Sequence, residues 1–234
     1  MMEFSELTLE RAILEVRYPT TFLFWDNSGK TMSLVTQKFP KIELRDAQVS
    51  NVQSDWWEEG LTLNFNQTKA DVTQDFPKNL DNFKMVCDEL CEAIRNVLEV
   101  KSFGRVGVRY IFVFPRESID AARDFFLRMS LVSLNAEKLQ SFLKGGIEEQ
   151  QTLVRYEDED RGYAFRLSHT PRELSFRLSR PFTLDASRFH KNGIIFDIDC
   201  YTKKPLEAPA FVAKDFVRLT YRTIEEHLLS ALGL

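Results

Sequence analysis

The sequence predicts an α+β fold in which one antiparallel sheet carries its helices on a single face. Three observations in the 234-residue chain support this prediction. Short segments with alternating apolar and polar side chains, typical of strands with one buried face, recur throughout. Two longer segments, near 80–99 and 209–231, repeat apolar residues every three or four positions, as amphipathic helices do. One strand pattern also occurs twice, near the start and near the middle of the chain.

The first half predicts a strand, a short helix, two strands and a long helix, in that order. Its first strand spans 12–18, with Leu14, Val16 and Tyr18 on one face, and it ends before Pro19. The other predicted elements are a helix near 31–38 stopped by Pro40, strands near 41–49 and 61–68 with a loop at 54–60 between them, and a helix at 80–99 with an apolar stripe of Phe83, Val86, Leu90, Ile94 and Val97.

The second half predicts a similar order of elements. It begins with a strand at 105–114, which ends before Pro115, and Ser118 follows as the expected N-cap of a helix. A second helical piece is expected from Asn135 to Gly145-Gly146. The remaining predicted elements are strands at 150–156, 163–168, 174–180 and 194–201, and a closing helix at 209–231 with Pro209 in its first turn.

The two halves share a strand pattern that indicates a tandem pseudo-repeat. The segment Leu14-Glu15-Val16-Arg17-Tyr18 aligns with Val106-Gly107-Val108-Arg109-Tyr110 at an offset of 92 residues. This self-similarity and the matching element order predict repeats at 1–100 and 101–234 that together form one globular unit. Two such units can pair into one continuous antiparallel sheet, saddle-like as in TATA-box-binding protein. The likeness concerns the fold and carries no function with it.

Charge and composition argue against several classes of protein. The net charge is −4, with 14 basic and 18 acidic side chains in residues 1–117 and 17 of each in the remainder. This acidic balance argues against a nucleic-acid partner. No stretch reaches the roughly 18 apolar residues of a membrane helix, and residues 1–6 lack the pattern of a signal peptide. We therefore expect a cytoplasmic protein that does not engage a membrane.

The cysteines and histidines give no sign of a disulfide framework, a metal site or a cofactor. The cysteine count of three is odd. Cys87 and Cys91, four residues apart in a helical pattern, fit small buried side chains better than a redox pair. His169, His190 and His227 are too far apart for ligand spacing. The chain also lacks a glycine-rich phosphate loop and a Gly-x-Ser-x-Gly turn, so we expect no catalytic centre.

Several segments resemble a sporadically distributed, uncharacterised prokaryotic family. They are the first strand Leu9–Pro19, the central strand Arg105–Ile111, the late strand Phe196–Asp199, and the closing helix with Phe216 and Ile224. That family usually continues its central strand with Asn, where this sequence has Phe112. The resemblance implies a similar length and type of fold, and a mobile-element or defence context. It brings no catalytic residues to this chain.

The charged side chains of the predicted strands fall on one face of the sheet. Because side chains alternate along a strand, these residues lie opposite the apolar ones. Two interpretations stay open: a ladder of cross-strand Arg–Asp pairs, each contributing about 0.2–1 kcal/mol, or a surface whose guanidiniums bind carboxylates or phosphates. The residues concerned are Arg17, Arg109, Arg166, Arg177, Asp197 and Asp199.

Asp197 and Asp199 also support a different hypothesis. Two carboxylates on one strand face can hold paired Mg²⁺ ions in phosphoryl-transfer enzymes. Nucleotidyltransferases precede such a pair closely with a Gly-Ser or Gly-Gly turn, whereas Gly145-Gly146 lies far upstream with strands between. A metal-dependent phosphate- or nucleotide-processing enzyme is therefore the alternative to a binding protein.

Trp56 and Trp57 form a second candidate contact site, in an acidic loop. Adjacent loop tryptophans cannot both enter one core, so one is expected to be exposed, and exposed Trp is enriched at contact hot spots. A half-buried Trp that covers a sheet edge is the other interpretation. The leading hypothesis is a non-enzymatic binding module. It would use the polar sheet face or the aromatic loops to hold a protein partner, a second copy or a small anionic ligand.

Overall fold

The computed structural model describes residues 2–129, 150–169 and 189–231, in which four helices accompany a nine-stranded sheet and a small two-stranded one. The fold class is α+β, as predicted. The strands are β1 Thr8–Arg17, β2 Glu43–Gln48, β3 Asn51–Trp56, β4 Leu61–Phe65, β5 Lys69–Asp75, β6 Ser102–Phe103, β7 Arg105–Pro115, β8 Gln150–Glu157, β9 Arg161–His169, β10 Gly193–Thr202 and β11 Leu206–Glu207. The helices are α1 Leu23–Lys38, α2 Asp81–Val97, α3 Ile119–Arg128 and α4 Ala213–Ala231.

The large sheet is antiparallel throughout, and its two central strands come from different halves of the chain. The strand order is β2-β3-β4-β5-β1-β7-β10-β9-β8, and β6 pairs separately with β11. Strands of the first half therefore lie on one side of the β1–β7 seam, and strands of the second half lie on the other. At this seam Glu15 is paired with Gly107, and Arg17 with Arg105.

Side-chain alternation gives the sheet one apolar face, which we call the inner face. Bulky residues alternate with charged or small ones on the central strands, so one side of each strand can be buried completely. The predicted faces of β1, β7 and β10 are confirmed, because their predicted apolar residues are buried. These residues are Leu14, Val16, Tyr18, Val108, Tyr110, Phe112, Ile194, Phe196 and Ile198.

All four helices pack on the inner face. The buried Tyr110 of β7 donates a hydrogen bond from its hydroxyl to the carbonyl oxygen of Val217 in α4, at 2.8 Å. Helix α2 contacts both α1 and α4. Ring contacts join the other two helices to this face: Phe24 of α1 meets Phe65 and Phe125 of α3 meets Phe114, with centroids 5.7 and 5.2 Å apart.

The first half contains two strands that the sequence pattern did not predict. Strand β3 occupies part of the expected loop at 54–60. The expected strand at 61–68 is the shorter β4, which ends at Phe65, and β5 follows it at Lys69–Asp75, where no strand was predicted. Both strands turn polar side chains inward, because Ser54 and Gln74 are buried. The turn between β4 and β5 is held by Asn66, whose side-chain oxygen accepts hydrogen bonds from the backbone N–H groups of Thr68 and Lys69.

Two helices begin at residues other than those predicted. Helix α1 starts at Leu23 instead of near 31, because Phe24 anchors its first turn against the sheet even though 26–29 is a polar, turn-like run. Helix α4 starts at Ala213, since Pro209 belongs to a separate 3-10 turn at Ala208–Ala210. The predicted N-cap of α3 is confirmed: the Ser118 hydroxyl accepts a hydrogen bond from the backbone N–H of Ala121.

Three further predictions lie outside the described residues. They are the helical piece from Asn135 to Gly145-Gly146, the strand at 174–180, and the position of Arg177 on the polar face of that strand. In the three described ranges, no helix combines the length and the apolar character that crossing a membrane requires.

Candidate functional site

The outer face of the sheet, opposite the helices, carries a grid of residues on β7, β10, β9 and β8. Directly paired residues form three rows across these strands: Ile111, Asp197, Arg166 and Leu153; Arg109, Asp199, Ala164 and Arg155; and Gly107, Tyr201, Gly162 and Glu157. Gly107, Gly162 and Ala164 have short side chains or none and lie beside longer side chains, so the surface is indented there. We call the resulting hollow of about 440 Å³ the sheet-face cavity; it is lined by Arg105, Arg109, Leu153, Arg155, Glu157, Ala164, Arg166, Asp197, Asp199 and Tyr201.

Asp197 is the anchor of this cavity. Its two oxygens accept hydrogen bonds from Nε and Nη2 of Arg109, at 2.6 and 2.5 Å, which is the bidentate fork geometry of guanidinium and carboxylate. Arg166 donates a third hydrogen bond to Oδ2 of Asp197, at 3.0 Å. The two hydrogen bonds that Arg109 donates to Asp197 raise the pKa of Arg109. One largely buried carboxylate thus fixes the positions of two guanidiniums.

Asp199 lies in the next row and is less fully bound. Arg105 donates a hydrogen bond from Nη2 to Oδ2 of Asp199, at 3.2 Å. Burial raises the pKa of Asp199, and the charges of Arg105 and Arg109 oppose part of that effect. The guanidinium of Arg105 also lies 4.7 Å from the ring centre of Tyr201, in a cation–π contact.

Arg155 supplies the fourth guanidinium of the cavity and has a different environment. It is exposed on β8, opposite Ala164, and among the described residues no carboxylate lies within ion-pair distance of it. Its charge acts on Glu157, but that carboxylate is already bound by Lys203 at 3.2 Å and by the hydroxyl of Tyr201 at 3.1 Å. Of the cavity's four guanidiniums, Arg155 is therefore the one that has no ion-pair partner among the described residues.

Arg17 does not reach the aspartates directly. It donates from Nε to Oε1 of Glu15, at 2.7 Å, and Glu15 lies 3.7 Å from Nη1 of Arg105. Since Arg105 binds Asp199, a continuous series of ion pairs connects Arg17 to the cavity. Arg109, in contrast, forms a cross-strand ion pair with Asp197 of the kind that the ladder interpretation predicts.

The tryptophans lie away from this cavity, and neither is fully exposed. Trp56 ends β3 and packs against Phe39, with ring centroids 6.1 Å apart, and Trp57 begins a short 3-10 helix. Both are half-buried, which agrees with the interpretation of a half-buried Trp and not with that of an exposed one. The exposed aromatic rings of the first half are Phe22 and Trp25, at the start of α1.

Sequence reasoning missed Arg105, Arg155, Glu157 and Tyr201 as members of the cavity. The signal was present, since Leu153, Arg155 and Glu157 alternate with Thr152, Val154 and Tyr156 along one strand. The β8 alternation is ambiguous, however, because apolar residues occur in both sets. Only the pairing of β8 with β9 decides that Arg155 faces the aspartates.

The arrangement favours holding an anion over holding a cation. The lining carries four guanidiniums and three carboxylates, and both oxygens of Asp197 are already bound. A divalent ion at Asp197 would have to displace Arg109 and Arg166. Within the described part of the chain, no three His, Cys, Asp or Glu side chains are grouped as a metal site would need.

Comparison with known proteins adds no relative from which a function could be transferred. No protein-family model matches the chain, and no curated protein matches it. The resemblance to the prokaryotic family therefore stays a prediction, and the functional argument rests on the geometry of the sheet face.

Proposed function

We propose that this protein is a binding module whose sheet-face cavity grips an anionic group, and that the group belongs to an acidic segment of a partner protein. The observation that carries the proposal is Arg155, a guanidinium with no ion-pair partner in the described residues, at the wall of a cavity with an excess of arginine. An arginine with free donors in a hollow is suited to bidentate binding of a carboxylate.

The neighbouring groups support recognition without turnover. Arg109 and Arg166 are held by Asp197, so they are pre-positioned and lose little freedom when a ligand binds. Guanidiniums stay protonated at physiological pH and cannot act as general bases. Leu153 and Ala164 add apolar surface for the body of a peptide side chain. A small inorganic anion is the other ligand that this chemistry admits.

Fluorescence anisotropy with a labelled hexaglutamate peptide tests the proposal. We expect saturable binding that weakens with added salt, no binding of a hexaglutamine peptide, and at least a fivefold loss of affinity in Arg155→Glu. Arg123→Glu is the matched control, since Arg123 is a partly exposed cation on α3 outside the cavity. Equal affinity of the wild type and Arg155→Glu would overturn the proposal. Displacement of the peptide by millimolar phosphate would assign the site to a small anion.

We also infer that the two halves are tandem repeats related by a pseudo-twofold axis. The offset of 92 residues converts Glu15 into Gly107, and these two residues are direct partners at the β1–β7 seam. A twofold axis perpendicular to the sheet through this pair would exchange β1 with β7. The same axis would place Arg17 on Arg109, which is the offset of 92 residues again. It would also place Arg105, the partner of Arg17, on Ile13, which is the partner of Arg109. A saddle-like sheet, as in TATA-box-binding protein, is the arrangement that this symmetry favours.

A further inference from the structure

A second cavity, separate from the sheet-face cavity, lies where the start of β1, the turn before α2 and the middle of α4 meet. Its volume is about 780 Å³, within the range of about 300–1,000 Å³ that is usual for small-molecule sites. None of the residues that line it lines the sheet-face cavity. A ligand bound here would therefore be independent of the anion-binding function proposed above.

The floor of this cavity is apolar and partly aromatic. Leu7, Leu9 and Leu80 contribute half-buried aliphatic surface. Tyr221 is fixed in an aromatic cluster, with its ring centroid 5.5 Å from that of Tyr110 in a T-shaped contact. Burial raises the pKa of Tyr221, so its hydroxyl stays protonated at neutral pH. A flat or apolar ligand body would find contact surface here but no charge.

The rim of the cavity is cationic. Lys78, Lys84, Arg218 and Arg222 line it, whereas Glu225 is its one carboxylate among the described residues. This concentration contrasts with the net charge of −4 of the whole chain. Arg218 and Arg222 are four residues apart on α4, a spacing at which like charges repel each other and destabilise a helix. An anion between the cations would relieve this repulsion.

Three of these cations are held in place by acidic residues outside the lining. Lys84 is bound to Asp81 at 2.9 Å, Arg218 to Asp215 at 3.0 Å, and Arg222 to Glu226 at 2.6 Å. Each arginine uses one nitrogen for its carboxylate, and a guanidinium has five N–H donors in all. The ion pairs therefore orient the cations and still leave donors for a ligand.

From these observations we propose that the cavity binds an organic phosphate. The phosphate lies among Lys84, Arg218 and Arg222 at the rim, and an aromatic or otherwise apolar body of nucleotide size lies on the floor against Leu80 and Tyr221. A phosphate is the anion that best uses several cations at once, because it offers three acceptor oxygens and up to two negative charges. The apolar floor requires that the phosphate be esterified to a body.

Isothermal titration calorimetry with two whole ligands and their parts tests this inference. Adenosine monophosphate and 1-naphthyl phosphate are the whole ligands, and adenosine, 1-naphthol and inorganic phosphate are the parts. We expect at least one ester to bind saturably, at least tenfold more tightly than either of its parts. Lys84→Ala and Arg222→Ala should each weaken that binding at least fivefold, whereas Arg123→Ala should leave it unchanged. Thermal melts of each variant check that the fold is retained.

The possible outcomes separate this cavity from the sheet face. Absence of saturable binding of both esters at millimolar concentration would overturn the inference. Binding that survives Lys84→Ala and Arg222→Ala but is lost in Arg155→Glu would also overturn it, because the ligand would then occupy the sheet-face cavity. Failure of the hexaglutamate experiment leaves the present inference untouched, since the two tests depend on different residues.

Discussion

Arg109 and Asp197 are joined by two hydrogen bonds, of 2.6 and 2.5 Å, across neighbouring strands at the centre of the outer face. The aspartate side chain is 10% exposed and that of the arginine 41%. Because Asp197 also neutralises Arg166, the two members of the pair are not equivalent. Loss of the aspartate leaves two guanidiniums without their carboxylate, whereas loss of Arg109 leaves the aspartate with one partner.

Asp197→Ala should therefore destabilise the fold more than Arg109→Ala does. We expect a decrease in the free energy of unfolding of about 1–2 kcal/mol for Asp197→Ala, between the values for exposed and buried pairs, and about half of that for Arg109→Ala. Urea denaturation measures both. Arg17→Ala is the control, since Arg17 and Glu15 form an exposed pair whose loss should change stability by less than about 0.5 kcal/mol. Equal effects of all three substitutions would contradict the assigned role of Asp197.

Removing one buried hydroxyl from either of two tyrosines should have similar effects. The Tyr110 hydroxyl donates to the carbonyl oxygen of Val217 at 2.8 Å, and the Tyr18 hydroxyl donates to that of Asn66 at 2.7 Å. Each Tyr→Phe substitution should lower the free energy of unfolding by about 1 kcal/mol, the net contribution of one hydrogen bond. Tyr156→Phe, at a site 62% exposed, should have little effect. Thermal and urea denaturation of the three variants would measure these losses of stability. A loss for Tyr156→Phe as large as for the other two would contradict the prediction.

The pH dependence of stability should change in Asp199→Asn. Burial raises the pKa of Asp199 above its ordinary value of 3.8, so just above that pH the folded state binds more protons than the unfolded state. The wild type should therefore lose stability relative to Asp199→Asn as the pH rises from 3.8 through the raised pKa. Denaturation curves collected between pH 3 and pH 7 measure this difference.

Asp158→Asn provides a control of opposite sign for that experiment. Hydrogen bonds from the backbone N–H groups of Arg161 and Asp160 lower the pKa of Asp158 below 3.8. Here the wild type should lose stability relative to the variant as the pH falls through the lowered pKa. Slopes of the same sign for the two aspartates would contradict the environments described above.

Three glycines should respond differently to alanine. A Cβ at Gly193 would lie 2.6 Å from the carbonyl oxygen of Phe114, a backbone atom that cannot move aside, so Gly193→Ala should destabilise by about 1–3 kcal/mol. At Gly162 the obstacle is the outer end of the Tyr201 ring, 2.3 Å away, and ring rotation should limit the loss of stability. Gly29→Ala, with nothing within 4 Å in helix α1, should stabilise by about 0.5–1 kcal/mol. A thermal melt ranks the three.

The sequence was informative where a charged residue stands between two apolar ones. Arg109 of β7 and Asp197 and Asp199 of β10 each occupy such a position, so the face on which their side chains lie was predictable. Strand β3 breaks the pattern, because Ser54 and Asp55 are both buried. Their burial depends on contacts made elsewhere in the fold: the Ser54 hydroxyl donates to the sulfur of Met32, and Asp55 accepts from Thr62. No local rule predicts such partners.

Which residues line the sheet-face cavity could not be predicted, because it depends on pairing between strands that are distant in the sequence. Alternation gives the face on which a side chain lies but not the strand beside it, because register is set by all pairs together. The ion pair between Arg166 and Asp197 joins residues of β9 and β10, which are separated by a long connection. The contact between Glu15 and Arg105 crosses the seam between the halves. Neither could be read from one strand alone.

The seam between β1 and β7 has a consequence for synthesis on the ribosome. Arg17 leaves the ribosome well before its partner Arg105, and at 5–20 residues per second the roughly 90 intervening residues take about 5–20 s to translate. During this interval one edge of β1 has no strand to pair with, even after β5 has formed on the other side. The charges of Arg11, Glu15 and Arg17 line the solvent face of that edge, and charged residues on an open edge disfavour pairing with other chains. We therefore expect the ion-pair residues of the mature sheet to protect the nascent chain against aggregation.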